Sequence, residues 1–325
     1  MVDDALPAGV IGFGRVGSAL AGALVAVDHP VAAVAARSEA SRERAGLVLP
    51  GVPVVPAAEV VRRAGLVLLT VPDSVIAAMA EELAAQWRPG QIVAHASGAF
   101  GVEALEPVSR AGGIALAIHP AMTFTGTSLD VARLRDVPFA VDAAPGLTPL
   151  ADALVAELGG RPFRVPAGAR AAYHAALAHA ANHLVTVITQ AFDILDQAGV
   201  DDPAGLLGPL TRAALEGALS QGIGALTGPA SRGDAVTLQA HMAALGEYAA
   251  GRGALVGPDV AVDSAGRAAL DTVASYRRLA AATLRAAARA GRISPVQAEE
   301  GIKALRRSGG AGQGDRAGST PEPRA

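Results

Sequence analysis

Through its first half the chain alternates short, almost uninterrupted apolar runs with longer stretches whose apolar residues recur every three or four positions. The runs at 8–11, 31–36, 64–71, 91–95 and 113–118 have the length and composition of strands buried on both faces, and 53–55, 139–142 and 162–165 are shorter candidates of the same kind. Segments 18–27 and 146–158 carry helical spacing between them. Alternation of this sort predicts an α/β domain. From about residue 168 the strand signal stops, and helices are predicted at 169–199, 203–220, 234–249, 264–290 and 295–307. The last is announced by Ser294-Pro295-Val296-Gln297, with serine as cap, proline at the first helical position and glutamine at the third. The turn residues Pro166-Ala167-Gly168 mark the change of pattern, which divides the chain into 1–166, 167–307 and a tail, 308–325. The tail is rich in Gly, Arg, Ser and Pro and has nothing to bury, so it is expected to be disordered.

The first strand runs directly into Gly12-Phe13-Gly14-Arg15-Val16-Gly17 and then into a helix. In that setting Gly12 permits the turn, Gly14 lets the backbone approach a pyrophosphate and Gly17 lets the helix lie close to the strand. The phosphates would rest on free N–H groups at the helix N-terminus, where the macrodipole is equivalent to roughly half a positive charge. The fold class predicted is therefore an α/β Rossmann dinucleotide-binding domain followed by an all-α C-terminal domain. The second strand ends in Arg37-Ser38, about 25 residues past Gly12, near the ~20 at which an acid holds the ribose of NAD or an arginine accommodates the 2′-phosphate of NADP. No acid precedes Arg37 in the strand, so NADP(H) is the expected cofactor.

Composition narrows the chemistry. The chain has 325 residues, 51% of them hydrophobic, enough for two cores. A net charge of −3 with interspersed signs leaves no electrostatic footprint for nucleic acid or an anionic membrane. Met1-Val2-Asp3-Asp4 lacks the basic start of a signal peptide and no apolar run approaches the ~18–20 residues of a membrane span, so a cytoplasmic location is expected. Without cysteine there is no thiol nucleophile and no cysteine-ligated zinc. Lys303 is the single lysine.

Ligands in such sheets lie at the carboxyl ends of the strands. Those ends carry Val71, Pro72 and Asp73 after the strand at 64–71, His95, Ser97 and Gly98 after the next, and His119 to Thr123 after the one following. Val71, Pro72, Asp73 and His95 are read as the rim of the cofactor site, although Asp73 could equally cap the next helix. The long helix at 169–199 carries Tyr173, His174, His179, Asn182 and His183; at 100° per residue His174 and Asn182 lie about 80° apart, on one face, with His183 opposite. His179 and His183, four apart, have the spacing of a metal pair but no carboxylate motif beside them, and no metal is expected. In Leu226-Thr227-Gly228-Pro229 and the following Arg232-Gly233-Asp234, Asp234 reads as a helix cap and Arg232 as a fork for a substrate carboxylate.

Taken in order, Gly-Phe-Gly-Arg-Val-Gly, Val71-Pro72-Asp73, His95 to Gly98, His119 to Phe124, Tyr173-His174 with Asn182, and Leu226 to Asp234 resemble 6-phosphogluconate dehydrogenase-type reductases. More closely, they resemble a bacterial family that pairs a Rossmann-like domain with a C-terminal domain of unknown function. The resemblance covers about residues 8–290. It implies an NADP(H)-dependent oxidoreductase that reduces a small 2-oxo acid, with 2-dehydropantoate the leading substrate, and a homodimer formed through the helical domain. Asn182 fits the helix asparagine of β-hydroxyacid dehydrogenases, but Ala178 stands where many of them carry a catalytic lysine. A histidine is then the natural proton donor: His119 or His174, with Asn182 and Ser97 positioning the carbonyl, Gly98 and Thr123 beside it, and Arg232 on the carboxylate. His119-Pro120 also resembles the His-Pro-Met stretch of prephenate dehydrogenases, which keeps an oxidative reading alive beside a pyrroline-5-carboxylate reductase-like one. A protein that senses NADP(H) without turnover is the alternative of another class.

Overall fold

In the computed structural model, residues 6–252 and 264–306 are described; the predicted tail 308–325 lies outside them. The chain forms two compact units, Met1–His183 and Leu184–Ala325.

The first unit is built on seven strands: β1 (Ala8–Ile11), β2 (Val31–Ala35), β3 (Leu66–Leu69), β4 (Ile92–His95), β5 (Ile114–Pro120), β6 (Pro138–Ala143) and β7 (Arg161–Arg164). Their order is β2-β1-β3-β4-β5-β6-β7, parallel except where β6 runs against β5. Every strand expected from the apolar runs is present but one. Residues 53–55 make a single bridge, Val34 to Val54, because Pro53 and Pro56 supply no N–H and Pro56 already caps the next helix. Among its described residues seven α-helices belong wholly to this unit: α1 (Arg15–Val25), α2 (Glu39–Val48), α3 (Ala57–Arg63), α4 (Asp73–Glu82), α5 (Glu106–Arg110), α6 (Leu129–Arg133) and α7 (Thr148–Glu157). Alternate strand residues feed two apolar layers. Ala8, Val10, Leu66 and Leu68 pack with Leu20 and Leu24 of α1 and Leu154 of α7. Ile11, Val67 and Leu69 pack with Val60 of α3, Ile76 of α4 and Val108 of α5.

Helix α8 (Arg170–Gln197) starts where the sequence places it, and the two compact units divide inside it, between His183 and Leu184. Its first turns belong with the sheet, because Arg170 is buried against the loop after β4 and Tyr173 is bonded to His119 at the end of β5. In the second unit lie α9 (Pro203–Gln221), α10 (Pro229–Arg232), α11 (Ala235–Gly251), α12 (Ser264–Arg289) and α13 (Pro295–Ala304). Leu238 and Met242 of α11, Leu284 of α12 and Ala298 of α13 form its core. Ser294 and Gln297 form the capping box read from the sequence, and Asp234 caps α11 through the Thr237 N–H.

The β1–α1 turn sets how closely helix and sheet approach. Gly12 has φ +92°, and a Cβ there would come within 2.8 Å of the Thr70 carbonyl; a Cβ on Gly17 would strike the Gly12 carbonyl and stand 2.5 Å from Thr70 Oγ1. Around a Cβ on Gly14 there is nothing within 4 Å. Gly17→Ala is therefore expected to cost about 1–3 kcal/mol in urea unfolding as α1 is levered off the sheet, and Gly14→Ala to stay within about 1 kcal/mol of the parent.

Candidate active site

The chain leaves β1 for β2 on one side and crosses to β3 on the other, so a crevice opens beyond the carboxyl ends of β1 and β3. A cleft of about 1200 Å³ lies there. Gly12, Phe13, Gly14, Arg15 and Val16 form its floor, Val71, Pro72 and Asp73 one wall, and Arg37 and Ser38 another. Gly17 stands behind the floor as a packing residue. Gly14 is the N-cap of α1 without a side-chain cap, and no acid occupies the first turn, so the first N–H groups face the cleft with their positive end undimmed. Asp73 takes the first position of α4 rather than capping it.

At the end of β2 the structure gathers more than Arg37 and Ser38. Ser38 caps α2 by accepting from the Ser41 N–H, which draws Ser41 and Arg42 to the same wall as Arg37, and Arg42 Nη2 donates to the Arg37 carbonyl at 2.6 Å. Two guanidinium groups and two hydroxyls thus surround the place where a 2′-phosphate would lie. The signal was present as Arg37-Ser38 and Ser41-Arg42, spaced as a cap and its first turn. These residues fit a phosphorylated dinucleotide: a glycine cradle, an open approach over Gly14 and paired arginines with no acid at the strand end.

A second cavity, about 360 Å³, is lined by His119, Met122, Thr123, His174, Leu177, Ala178 and Asn182 among others. His119, His174, Asn182 and Thr123 are thus brought together as expected, and all of them belong to the first unit. The His119 and His174 rings meet edge to face with centroids 5.8 Å apart. Gly98 lies between them: a Cβ there would stand 2.9 Å from both His119 Nε2 and His174 Cδ2. Helix α8 sets Tyr173 on the far side of His119, with its hydroxyl 2.8 Å from Nδ1. Asp73 lines the cleft, and its charge works against the lowering of the His119 pKa.

Two expectations change. His95 is fully buried, donates from Nε2 to the Gly101 carbonyl at 2.8 Å and accepts the Ser97 N–H at Nδ1, so it braces the loop after β4 instead of touching a cofactor. Burial pushes its pKa down. Ser97, 3% exposed, spends its hydroxyl accepting from the Ala99 and Phe100 N–H groups and holds the same loop in shape. Arg232 is an exposed residue at the end of α10 in the second unit. Within the first unit the arginine missed from sequence is Arg170, 9% exposed, which donates to the Ser97 carbonyl at 3.3 Å and keeps Nε and Nη1 without a partner. Burial lowers its pKa, with Asp142 opposing. No sequence signal distinguished this arginine, since its burial depends on where α8 docks.

His119 is also not the cationic acid its type suggested. Burial first, then the neighbouring His174 and Arg170 charges, push its pKa down to about 4, and it is neutral at pH 7. Tyr173 is raised by burial and keeps its proton. His179 and His183 face each other at 2.8 Å on the exposed side of α8, and no group of three or more potential metal ligands occurs among the described residues.

The fold and the cleft define a Rossmann-type dinucleotide-binding protein. More particularly, residues 2–120 match the Rossmann-like domain family and residues 137–254 match the family described as a domain of unknown function (DUF2520), so the chain joins these two domains as its motifs implied. A search of curated proteins returns no match. Among solved structures, a protein from Bacteroides fragilis assigned as an NADP oxidoreductase is 19% identical over 86% of this chain and 98% of its own, with a TM-score of 0.68. A reductive aminase from Aspergillus terreus, solved with NADPH and ethyl levulinate, is 17% identical over 91% and 98%, TM-score 0.57. An imine reductase from Myxococcus stipitatus with NADP+ is 18% identical over 76% and 89%, TM-score 0.55. At these identities the likeness is one of fold. Among the described residues no helix is long and apolar enough to cross a membrane.

A histidine buried in its neutral form destabilises the fold once acid charges it. With a folded pKa near 4 and an unfolded value near 6.5, His119 leaves stability untouched above pH 6.5 and withdraws it as pH falls toward 4. Between pH 7.5 and 4.5 the parent should lose about 2–3 kcal/mol more unfolding free energy than His119→Gln; equal losses in the two proteins would show that His119 titrates normally.

Proposed function

We propose that the protein is an NADP(H)-dependent oxidoreductase that reduces the C=O, or the C=N, of a small carboxylate-bearing molecule. The observation that carries this reading is the presence in one unit of a dinucleotide cleft shaped for a 2′-phosphate and of a small cavity at the end of β5 where His119, His174, Asn182 and Thr123 come together. A bound reduced nicotinamide would supply the hydride. The chain's own residues do the rest. His119 and His174 present imidazole edges to the substrate's heteroatom, and Asn182 and Thr123 offer hydrogen bonds to its other polar groups. A volume of about 360 Å³ suits a small molecule, and among the described residues no Asp or Glu lines the cavity to repel an anion. The imine reductase with NADP+ and the reductive aminase with NADPH support the reading as likenesses of fold, and the motif resemblance favours 2-dehydropantoate as the first substrate to assay.

The test is NADPH oxidation with 2-dehydropantoate, other 2-oxo acids and pyrroline-5-carboxylate, alongside prephenate with NADP+ in the opposite direction. Turnover of one of them is expected; binding of NADPH with no turnover across the panel would favour a sensor. In the same preparation Arg37→Ala and Arg42→Ala should each weaken NADPH by about 10- to 100-fold, the loss of one charge-assisted contact, and leave NADH affinity unchanged. Gly14→Ala should weaken both cofactors.

We also propose that the protein works as a homodimer through its second unit. Supporting this, α9 has nineteen residues and buries none of them, with Leu206, Leu210 and Leu219 56%, 64% and 80% exposed. Light scattering should give about twice 32.3 kDa for the parent, and Leu210→Asp with Leu219→Asp should yield monomer; a monomeric parent would contradict the assignment.

A further inference from the structure

The proposed reduction leaves Tyr173 without a role, and its position gives it one. Resting on the reductase reading above, we propose that Tyr173 is the positioning and proton-supplying partner of His119: its hydroxyl donates to Nδ1, which holds the imidazole as the Nε2–H tautomer and aims that N–H at the substrate.

Four observations converge on it. The Tyr173 hydroxyl and His119 Nδ1 are 2.8 Å apart. The tyrosine ring is held in place by an edge contact with Phe163, centroids 5.8 Å apart. On the other side of the imidazole, Nε2 borders Gly98 at the cavity, and nothing among the described residues hydrogen-bonds it. One turn before Tyr173 on α8, Arg170 keeps a buried guanidinium with two unpartnered nitrogens, a positive charge that favours the ionised phenol.

The step balances without a cationic histidine. As the substrate carbon takes the hydride, its π bond to oxygen or nitrogen breaks and the heteroatom receives the electron pair. That heteroatom takes the proton from His119 Nε2, and Nδ1 takes the proton from the Tyr173 hydroxyl. The imidazole ends neutral in the opposite tautomer, the nicotinamide is oxidised, the substrate is reduced, and a phenolate stands beside Arg170 until solvent returns a proton. The arrangement explains how His119 can serve as an acid while neutral at pH 7. The charged and titratable groups that face it are Tyr173, His174 and Arg170 from α8, His95 from β4 and Asp73 from α4.

The protein labelled with ¹⁵N-histidine reports the tautomer by NMR without any substrate. His119 is expected as neutral Nε2–H at pH 7, and Tyr173→Phe, which keeps the ring and its contact with Phe163, should release it into a mixture of tautomers. An Nδ1–H tautomer in the parent, or an unchanged tautomer in Tyr173→Phe, would overturn the proposal. With whichever panel substrate turns over, Tyr173→Phe should lower kcat by about 100-fold or more, leave the KM for NADPH within about 2-fold, and change a curved proton inventory to a linear one; an unchanged kcat would also overturn it. If no substrate turns over, the reductase reading fails on its own while the tautomer still decides the pairing.

Discussion

Helix α1 can lie close enough to β1 to present its N-terminus to the cleft only because three groups meet where no side chain fits. Gly17 faces the Gly12 carbonyl, and Thr70 Oγ1 donates to that same carbonyl from the end of β3. The contact joins the two strands that flank the crevice and sets the direction of the helix dipole. The anion site over Gly14 and the wall at Val71 to Asp73 take their positions from it. A methyl group at Gly17 would disturb them together.

Electrostatics then divide the site into two regimes. At the β2 end, Arg37 and Arg42 are exposed and charged, suited to a phosphate that arrives from water. Around His119 burial shifts the titrating groups toward their neutral forms: His95 and His119 are pushed down and Tyr173 is pushed up. Arg170 is the exception, a cation retained without a carboxylate bonded to it, which is costly unless the charge is used. Proton movement in such a place is better served by neutral hydrogen-bonded partners than by a free imidazolium.

Much of this was legible in the sequence, for reasons that differ by element. Strands buried on both faces announce themselves as apolar runs, and the Gly12 to Gly17 turn announces its own geometry because each glycine answers a steric demand. The edge segment 53–55 was overread since its apolar residues are strand-like while its prolines are not. His119, His174 and Asn182 could be paired from strand ends and helix phase alone. What could not be read was burial. His95 and Ser97 resemble site residues in sequence, yet the fold uses both to brace one loop. Arg170 looks like an ordinary first-turn arginine until α8 docks on the sheet, and Arg42 joins Arg37 only once Ser38 caps α2 and the Arg42 guanidinium bonds the Arg37 carbonyl.

One surface of the first unit, on this reading, holds a phosphorylated nicotinamide cofactor and delivers it to His119. A crystal structure of the protein with NADPH tests that most directly. The 2′-phosphate should lie on Arg37 and Arg42, the pyrophosphate over Gly14 and the nicotinamide beside Asp73, close enough to His119 for one substrate carbonyl to reach both. A nicotinamide more than about 10 Å from His119 and His174, beyond direct or single-water proton transfer, would contradict it.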